Sequence, residues 1–255
     1  MTSPTGTQAH HYLNLPDART VTTHAVRAAA QALDTTIQHN GMLCLTADPG
    51  IGKTFTLHTL LDQRHRLPAV RLLARPQARP DDLRHSLHDA LGLAGSPPKD
   101  PGICDDYLRH TLHEPHRIIA IDEAHQLSAA CIEYIRYLYD DPTPHITLVL
   151  LASQPRLRAL QAKPAIASRV TTWHTMHPLT PAETLTAIPT LHPAWERIAP
   201  ETISKLDATW AGGNLRRWAA LTHRLLTHQR RTPHQPTTPA ALLRPLQPTR
   251  VVPTP

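Results

Sequence analysis

The sequence has little of what marks disulfide-stapled or membrane-spanning proteins. Only three of its 255 residues are cysteine, Cys44, Cys104 and Cys131, widely spaced and without a CxxC. That spacing excludes a disulfide framework and leaves the three as small, buried apolar residues. No apolar run approaches the roughly 18 residues of a membrane span, and Met1 to Leu13 lacks the apolar core of a signal peptide. A soluble, cytoplasmic protein with no membrane contact is the expectation. With one Phe and 4% aromatic residues, single-strand recognition by base stacking has little support. Trp173, Trp195, Trp210 and Trp218 are expected in cores and interfaces instead. Acid is missing altogether from one end: residues 214–255 hold seven Arg and no Asp or Glu, whereas residues 1–213 hold 19 Lys+Arg and 20 Asp+Glu. The net charge of +6 is therefore a property of the C-terminal sixth, which suits contact with a polyanion such as DNA.

Apolar, β-branched runs alternate with helical patterns, as a doubly wound α/β fold with a parallel sheet requires. Five strands are predicted, at Met42 to Thr46, Ala69 to Ala74, Arg117 to Ile121, Ile146 to Leu151 and Val170 to His174. Helices are predicted at Thr23 to Gln38, Lys53 to Arg64, Asp81 to Leu93, Cys104 to His113, Ser128 to Tyr139 and Pro155 to Leu160. From Leu179 the strand signal stops. Thr180-Pro181-Ala182-Glu183 reads as a capped helix start, and further helices are expected over Ala194 to Ile198, Glu201 to Ala211 and Asn214 to Thr227. The resulting division is an N-terminal extension (1–20), a nucleotide-binding α/β domain (21–178), a small all-helical lid (179–231) and a Pro-rich disordered tail (232–255).

Chemistry concentrates in two motifs. Ala47-Asp48-Pro49-Gly50-Ile51-Gly52-Lys53-Thr54 joins a strand to a helix and matches GxxxxGK[ST] except for Ala47 at the first position. Gly50 and Gly52 let backbone amides turn toward phosphates without a Cβ in the way. Lys53 reaches the β and γ phosphates, and Thr54 offers a hydroxyl to Mg²⁺. Pro49, Gly50, Ile51, Gly52, Lys53, Thr54 and Phe55 are the expected nucleotide contacts, for ATP with Mg²⁺. The strand Arg117 to Ile121 then ends in Asp122 and Glu123, placing Asp122 at the metal beside Thr54 and Glu123 where it polarises a water. After the strand Ile146 to Leu151, Gln154, or else Ser153, emerges at the same pocket. Arg169 stands before the last strand, and Gly212-Gly213-Asn214-Leu215-Arg216-Arg217 opens a helix with two arginines, cations that oppose the helix dipole and point to an anion nearby.

This ordered set resembles an AAA+ ATPase over roughly residues 20 to 230. The resemblance implies that Glu123 is the catalytic base, Gln154 the sensor 1 residue and Arg169 an arginine finger acting on a neighbour's nucleotide. It also implies that Arg216, or less readily Arg217, is the sensor 2 residue. Val21-Thr22-Thr23-His24-Ala25-Val26-Arg27, Ile135-Arg136-Tyr137-Leu138-Tyr139-Asp140-Asp141 and Leu150-Leu151-Ala152-Ser153-Gln154-Pro155-Arg156-Leu157 are similar to the transposition helper ATPases of the Mu B, TniB and TnsC group. That similarity implies a homo-oligomer, ring or filament, that assembles on double-stranded DNA with ATP and presents the DNA to a transposase. Two other readings stand beside it: a secretion-linked ATPase of the ExeA type, and a slow-turnover switch that recruits a protein partner. Asp122-Glu123-Ala124-His125 also spells a helicase motif, but the residues that follow are too few for a second RecA-like domain. Nineteen His are scattered, and Pro115 interrupts His110, His113 and His116, so no zinc site is expected.

Overall fold

The computed structural model describes residues 15–142, 145–232 and 237–243. Two compact units divide them, one spanning His24–His177 and the other made of the described residues up to Thr23 and from Pro178 onward. In the first unit the chain runs α1 (His24–Gln38), β1 (Met42–Ala47), α2 (Lys53–Gln63), β2 (Ala69–Leu73), α3 (Pro80–Ala90), α4 (Pro101–His113), β3 (Arg117–Asp122), α5 (Ala129–Asp140), β4 (Ile146–Ser153), α6 (Leu157–Gln161), α7 (Pro164–Ala167) and β5 (Val170–Met176). All five strands are parallel, in the order β2-β3-β4-β1-β5. The predicted strands are thus present, four of them extended toward their carboxyl ends and β2 one residue shorter.

The strands are legible because a parallel sheet is covered on both faces and reads as unbroken apolar sequence. Successive residues separate onto opposite faces. Leu43, Leu45, Ile118, Ala120, Val149 and Leu151 pack with Ala29 and Leu33 of α1 and Leu57, Leu60 and Leu61 of α2. Met42, Cys44, Ile119, Ile121, Leu148 and Leu150 face the other way, against Leu87 of α3, Leu108 of α4 and Ile135 of α5. α1 turns Ala29, Ala32, Leu33 and Thr36 inward at the three- and four-residue spacing of one helix face. All three cysteines are buried and unpaired, and burial pushes the Cys44 thiol up to about 12.

The second unit holds α8 (Pro181–Leu191), α9 (Pro200–Leu206), α10 (Leu215–Arg231) and α11 (Pro239–Leu243). Thr180 caps α8 through a reciprocal pair with Glu183, as its sequence predicts. Trp195 and Trp218 are fully buried at its centre, edge to face with ring centroids 5.2 Å apart. Ala194 to Ile198 reduces to a 3-10 turn at Pro193–Trp195. The stretch read as one helix to Ala211 breaks into α9 and a π-turn over Asp207–Ala211, for a reason given below.

Two boundaries differ from those expected. The N-terminal extension does not stand apart: Leu15 is buried, the Arg19 amide donates to the Leu191 carbonyl at 2.8 Å, and His192 lies 2.9 Å from the Pro16 carbonyl. The tail expected to be disordered lies mostly outside the described residues, but Pro239–Leu243 forms α11 and buries Leu242 to 1% exposure in the same core as Trp218. Composition misled here, since two leucines on one short helix suffice to dock it on an existing apolar surface.

Candidate nucleotide site

The P-loop leaves β1 at Ala47 and enters α2 at Lys53. Gly50 and Gly52 have φ of 91° and 97°, values that side-chain-bearing residues rarely adopt, and Gly52 is the residue preceding the helix. The helix therefore begins with amides aimed outward at its positive end, the arrangement that receives phosphate. Ile51 is buried and pins the loop from behind, whereas Asp48 and Pro49 are exposed. Ala47 is itself buried, so the missing first glycine falls at a position that is still strand.

At the tip of β3 the Asp122 carboxylate draws three donors together. Thr54 donates its hydroxyl at 2.6 Å, Lys53 Nζ lies at 3.2 Å, and the Glu123 amide donates at 2.7 Å. Burial pushes the Asp122 carboxyl up, but the Lys53 ammonium and these hydrogen bonds outweigh it and hold the group below its ordinary range. Glu123 follows in a left-handed conformation, φ 53° and ψ 35°. Its carboxylate sits 3.6 Å from Lys53 Nζ and 3.4 Å from His125 Nε2. The Thr54 hydroxyl and the Asp122 carboxylate form the oxygen pair that a hard cation such as Mg²⁺ takes, and these residues fit it.

β4 lies between β3 and β1, with Ser153 level with Ala47. Gln154 thus emerges beside the start of the P-loop, and its Oε1 is buried without a hydrogen-bond partner among the described residues. Instead of starting a helix at Pro155, Gln154–Arg156 forms a 3-10 turn before α6.

Arg169 does not join this cluster. It precedes β5, whose Val170 is level with Met42 at the amino end of β1, so the length of β1, about 20 Å at ~3.3 Å per residue, separates it from the P-loop. Asp140 grips it with both carboxylate oxygens at 2.5 Å. Arg216 and Arg217 are exposed in the first turn of α10, in the helical unit. Asn214 caps that helix by accepting the Arg217 amide, and the Arg217 guanidinium donates to the Trp210 carbonyl at 2.8 Å. A carbonyl at the end of the preceding turn, not a bound anion, accounts for that cation.

Two important side chains escaped the sequence reading. In the sequence His125 is no more than the last letter of the motif Asp122-Glu123-Ala124-His125. Asp207 was not seen at all; its buried carboxylate accepts the Gly213 amide at 2.8 Å and the Trp218 indole at 3.1 Å. These bonds fold the chain back before α10 and break the helix there. Gly213 has φ 68°, and a Cβ on it would lie 2.1 Å from the Leu179 carbonyl oxygen, so the Gly-Gly-Asn motif serves a packing need.

The fold is that of the P-loop AAA+ architecture. Residues 35–161 match a family model described as AAA domain, a stretch that takes in the P-loop, Asp122, Glu123 and Gln154. No curated protein matches the chain in sequence. Among solved structures it is similar to the Aeropyrum pernix ORC1 protein in complex with DNA (TM-score 0.63, 18% identity, 88% of this chain and 64% of that one). It is similar also to Cdc6p from Pyrobaculum aerophilum (0.67, 15%, 85% and 65%). A third likeness is to the Thermotoga maritima RuvB Holliday junction branch migration motor (0.60, 16%, 88% and 68%). The chain spans less than two thirds of the ORC1 and Cdc6p chains.

Proposed function

We propose that this protein is an ATPase that assembles as a homo-oligomer, ring or filament, on double-stranded DNA in the cytoplasm and recruits a transposase to it. The observation that carries the ATPase reading is the convergence of Lys53, Thr54, Asp122 and Glu123 at the P-loop. ORC1 in complex with DNA and the RuvB branch migration motor support an association with DNA, as does the acid-free, arginine-bearing C-terminal sixth. The three stretches similar to Mu B, TniB and TnsC support the transposase partner.

In this reading the Gly50 and Gly52 backbone and Lys53 bind the phosphates, with Pro49, Ile51 and Phe55 completing the nucleotide contacts. Thr54 and Asp122 would hold Mg²⁺, which neutralises phosphate charge when bound. Glu123 takes a proton from the attacking water, and Gln154 orients that water with its unsatisfied carbonyl oxygen. Arg169 is too far from its own P-loop and acts on the nucleotide of a neighbouring protomer, so hydrolysis is slow in the monomer and stimulated by assembly and DNA. Arg216 takes the sensor 2 role on the strength of the Gly-Gly-Asn-Leu-Arg motif. Many weak phosphate contacts then act together, so that nucleotide state, through oligomerisation, sets DNA affinity.

The test is Glu123→Gln with ATP and duplex DNA, followed by electron microscopy. ATP-stabilised assemblies that fail to disperse are expected. A variant that binds ATP yet stays monomeric with and without DNA overturns the reading.

A further inference from the structure

We propose that His125 is the positioning residue for Glu123, holding its carboxylate in the orientation from which it takes the proton of the attacking water. The inference rests on the ATPase reading above and deepens it.

The Glu123 backbone is fixed at both ends of the residue. Its amide donates to Asp122 Oδ1 at 2.7 Å, and its carbonyl accepts the Gln126 amide at 2.8 Å. These two bonds sustain a left-handed conformation that a non-glycine residue adopts only under such constraint. The side chain then meets two partners of different kinds. Lys53, 3.6 Å from Oε1, is the P-loop cation, and a polyphosphate outcompetes one carboxylate for it. His125, 3.4 Å from Oε2, is anchored in the protein. It sits on the 3-10 turn Ala124–Gln126, whose Ala124 is fully buried, and its own side chain is 11% exposed. When phosphate recruits Lys53, His125 is the partner that stays.

The state of the imidazole follows from its surroundings. Nδ1 is buried without a hydrogen-bond partner among the described residues, and burial lowers the pKa of the ring. A neutral ring with its proton on Nε2 leaves Nδ1 as a bare acceptor, whereas the charged ring would bury an unpaired N–H. The neutral tautomer therefore presents Nε2–H to Oε2 and frees Oε1 for the water. In the step that follows, the water oxygen bonds to the γ phosphorus as one water proton moves to Oε1. The bond to the bridging oxygen breaks with its electron pair departing on ADP, and Oε1 then returns the proton to the product phosphate. His125 gains and loses no proton in this sequence.

The experiment compares His125→Leu and His125→Gln in the full chain, alone and combined with Glu123→Gln. For His125→Leu, kcat is expected to fall about 10- to 100-fold, the scale on which a misplaced catalytic group costs rate. KM for ATP, affinity for a fluorescent ATP analogue and the melting temperature stay near wild type. His125→Gln, which keeps an N–H donor, recovers most of the rate. In the Glu123→Gln background His125→Leu causes little further loss, because the histidine acts through the carboxylate. Wild-type turnover by His125→Leu, a matching loss of analogue affinity and stability, or multiplication of the two losses each overturns the proposal while leaving the ATPase reading intact. A wild-type chain without ATPase activity overturns both.

Discussion

Two aspartates, one half-buried at the tip of β3 and one buried at the start of the π-turn before α10, show how a carboxylate drawn out of solvent serves opposite ends. Asp122 gathers Thr54, Lys53 and an amide; two of the three are side chains able to exchange it for phosphate or metal. Asp207 gathers the Gly213 amide and the Trp218 indole, neither of which has anywhere else to go. In the proposed function the first is a site because its partners are replaceable. The second is a clasp because they are not. Acidity alone does not separate the two; the identity of the donors does.

The largest effect is expected from Lys53→Ala, which should lower ATP turnover by about 10²–10³ or more while the chain still folds; a coupled phosphate-release assay with a thermal melt checks both. Gly213→Ala is the counterpart in the helical unit. It forces a Cβ against the Leu179 carbonyl at a positive φ and should cost about 3 kcal/mol or more in denaturant unfolding followed by tryptophan fluorescence. Asp207→Ala should cost about 2–3 kcal/mol in the same measurement, because it strands two buried donors. If it proves neutral, the clasp interpretation fails.

A smaller effect distinguishes the site by its pH dependence. The folded Asp122 carboxyl is held below its ordinary value, so its stabilisation is complete above the unfolded pKa of about 4 and is lost as pH falls through the lower folded value. The stability gap between wild type and Asp122→Asn should therefore be widest near neutral pH and close below about pH 4. Smallest of all, Asp140→Ala removes the half-exposed partner of Arg169 and should change stability by under ~1 kcal/mol, in contrast to Asp207.

The sheet and the P-loop were legible because each rests on local sequence. Buried parallel strands are continuous apolar runs, and a phosphate loop needs Gly50, Gly52 and Lys53 within four positions. Asp122 and Glu123 were legible as the polar end of such a run. Contacts across long sequence distances were not legible: the N-terminal segment pairs with residues more than 170 positions away, as Arg19 does with Leu191, and no local pattern announces it. Asp207 and His125 were hidden for a related reason. Each reads as an ordinary helical or turn residue until its partners, Trp218 in one case and the backbone-fixed Glu123 in the other, are known.

The helical unit draws its first strip of chain from residues before Thr23 and the rest from residues after Pro178. During synthesis Leu15 and Arg19 leave the ribosome early, and Leu191 and His192 follow only after the whole sheet unit has emerged. The loop to be closed holds more than 150 residues, and its entropic cost grows only as the logarithm of that length. Time is the larger burden, since an early apolar segment must wait for a partner that is translated late. The sheet unit, contiguous from His24 to His177, can fold during that wait, and the helical unit is completed last.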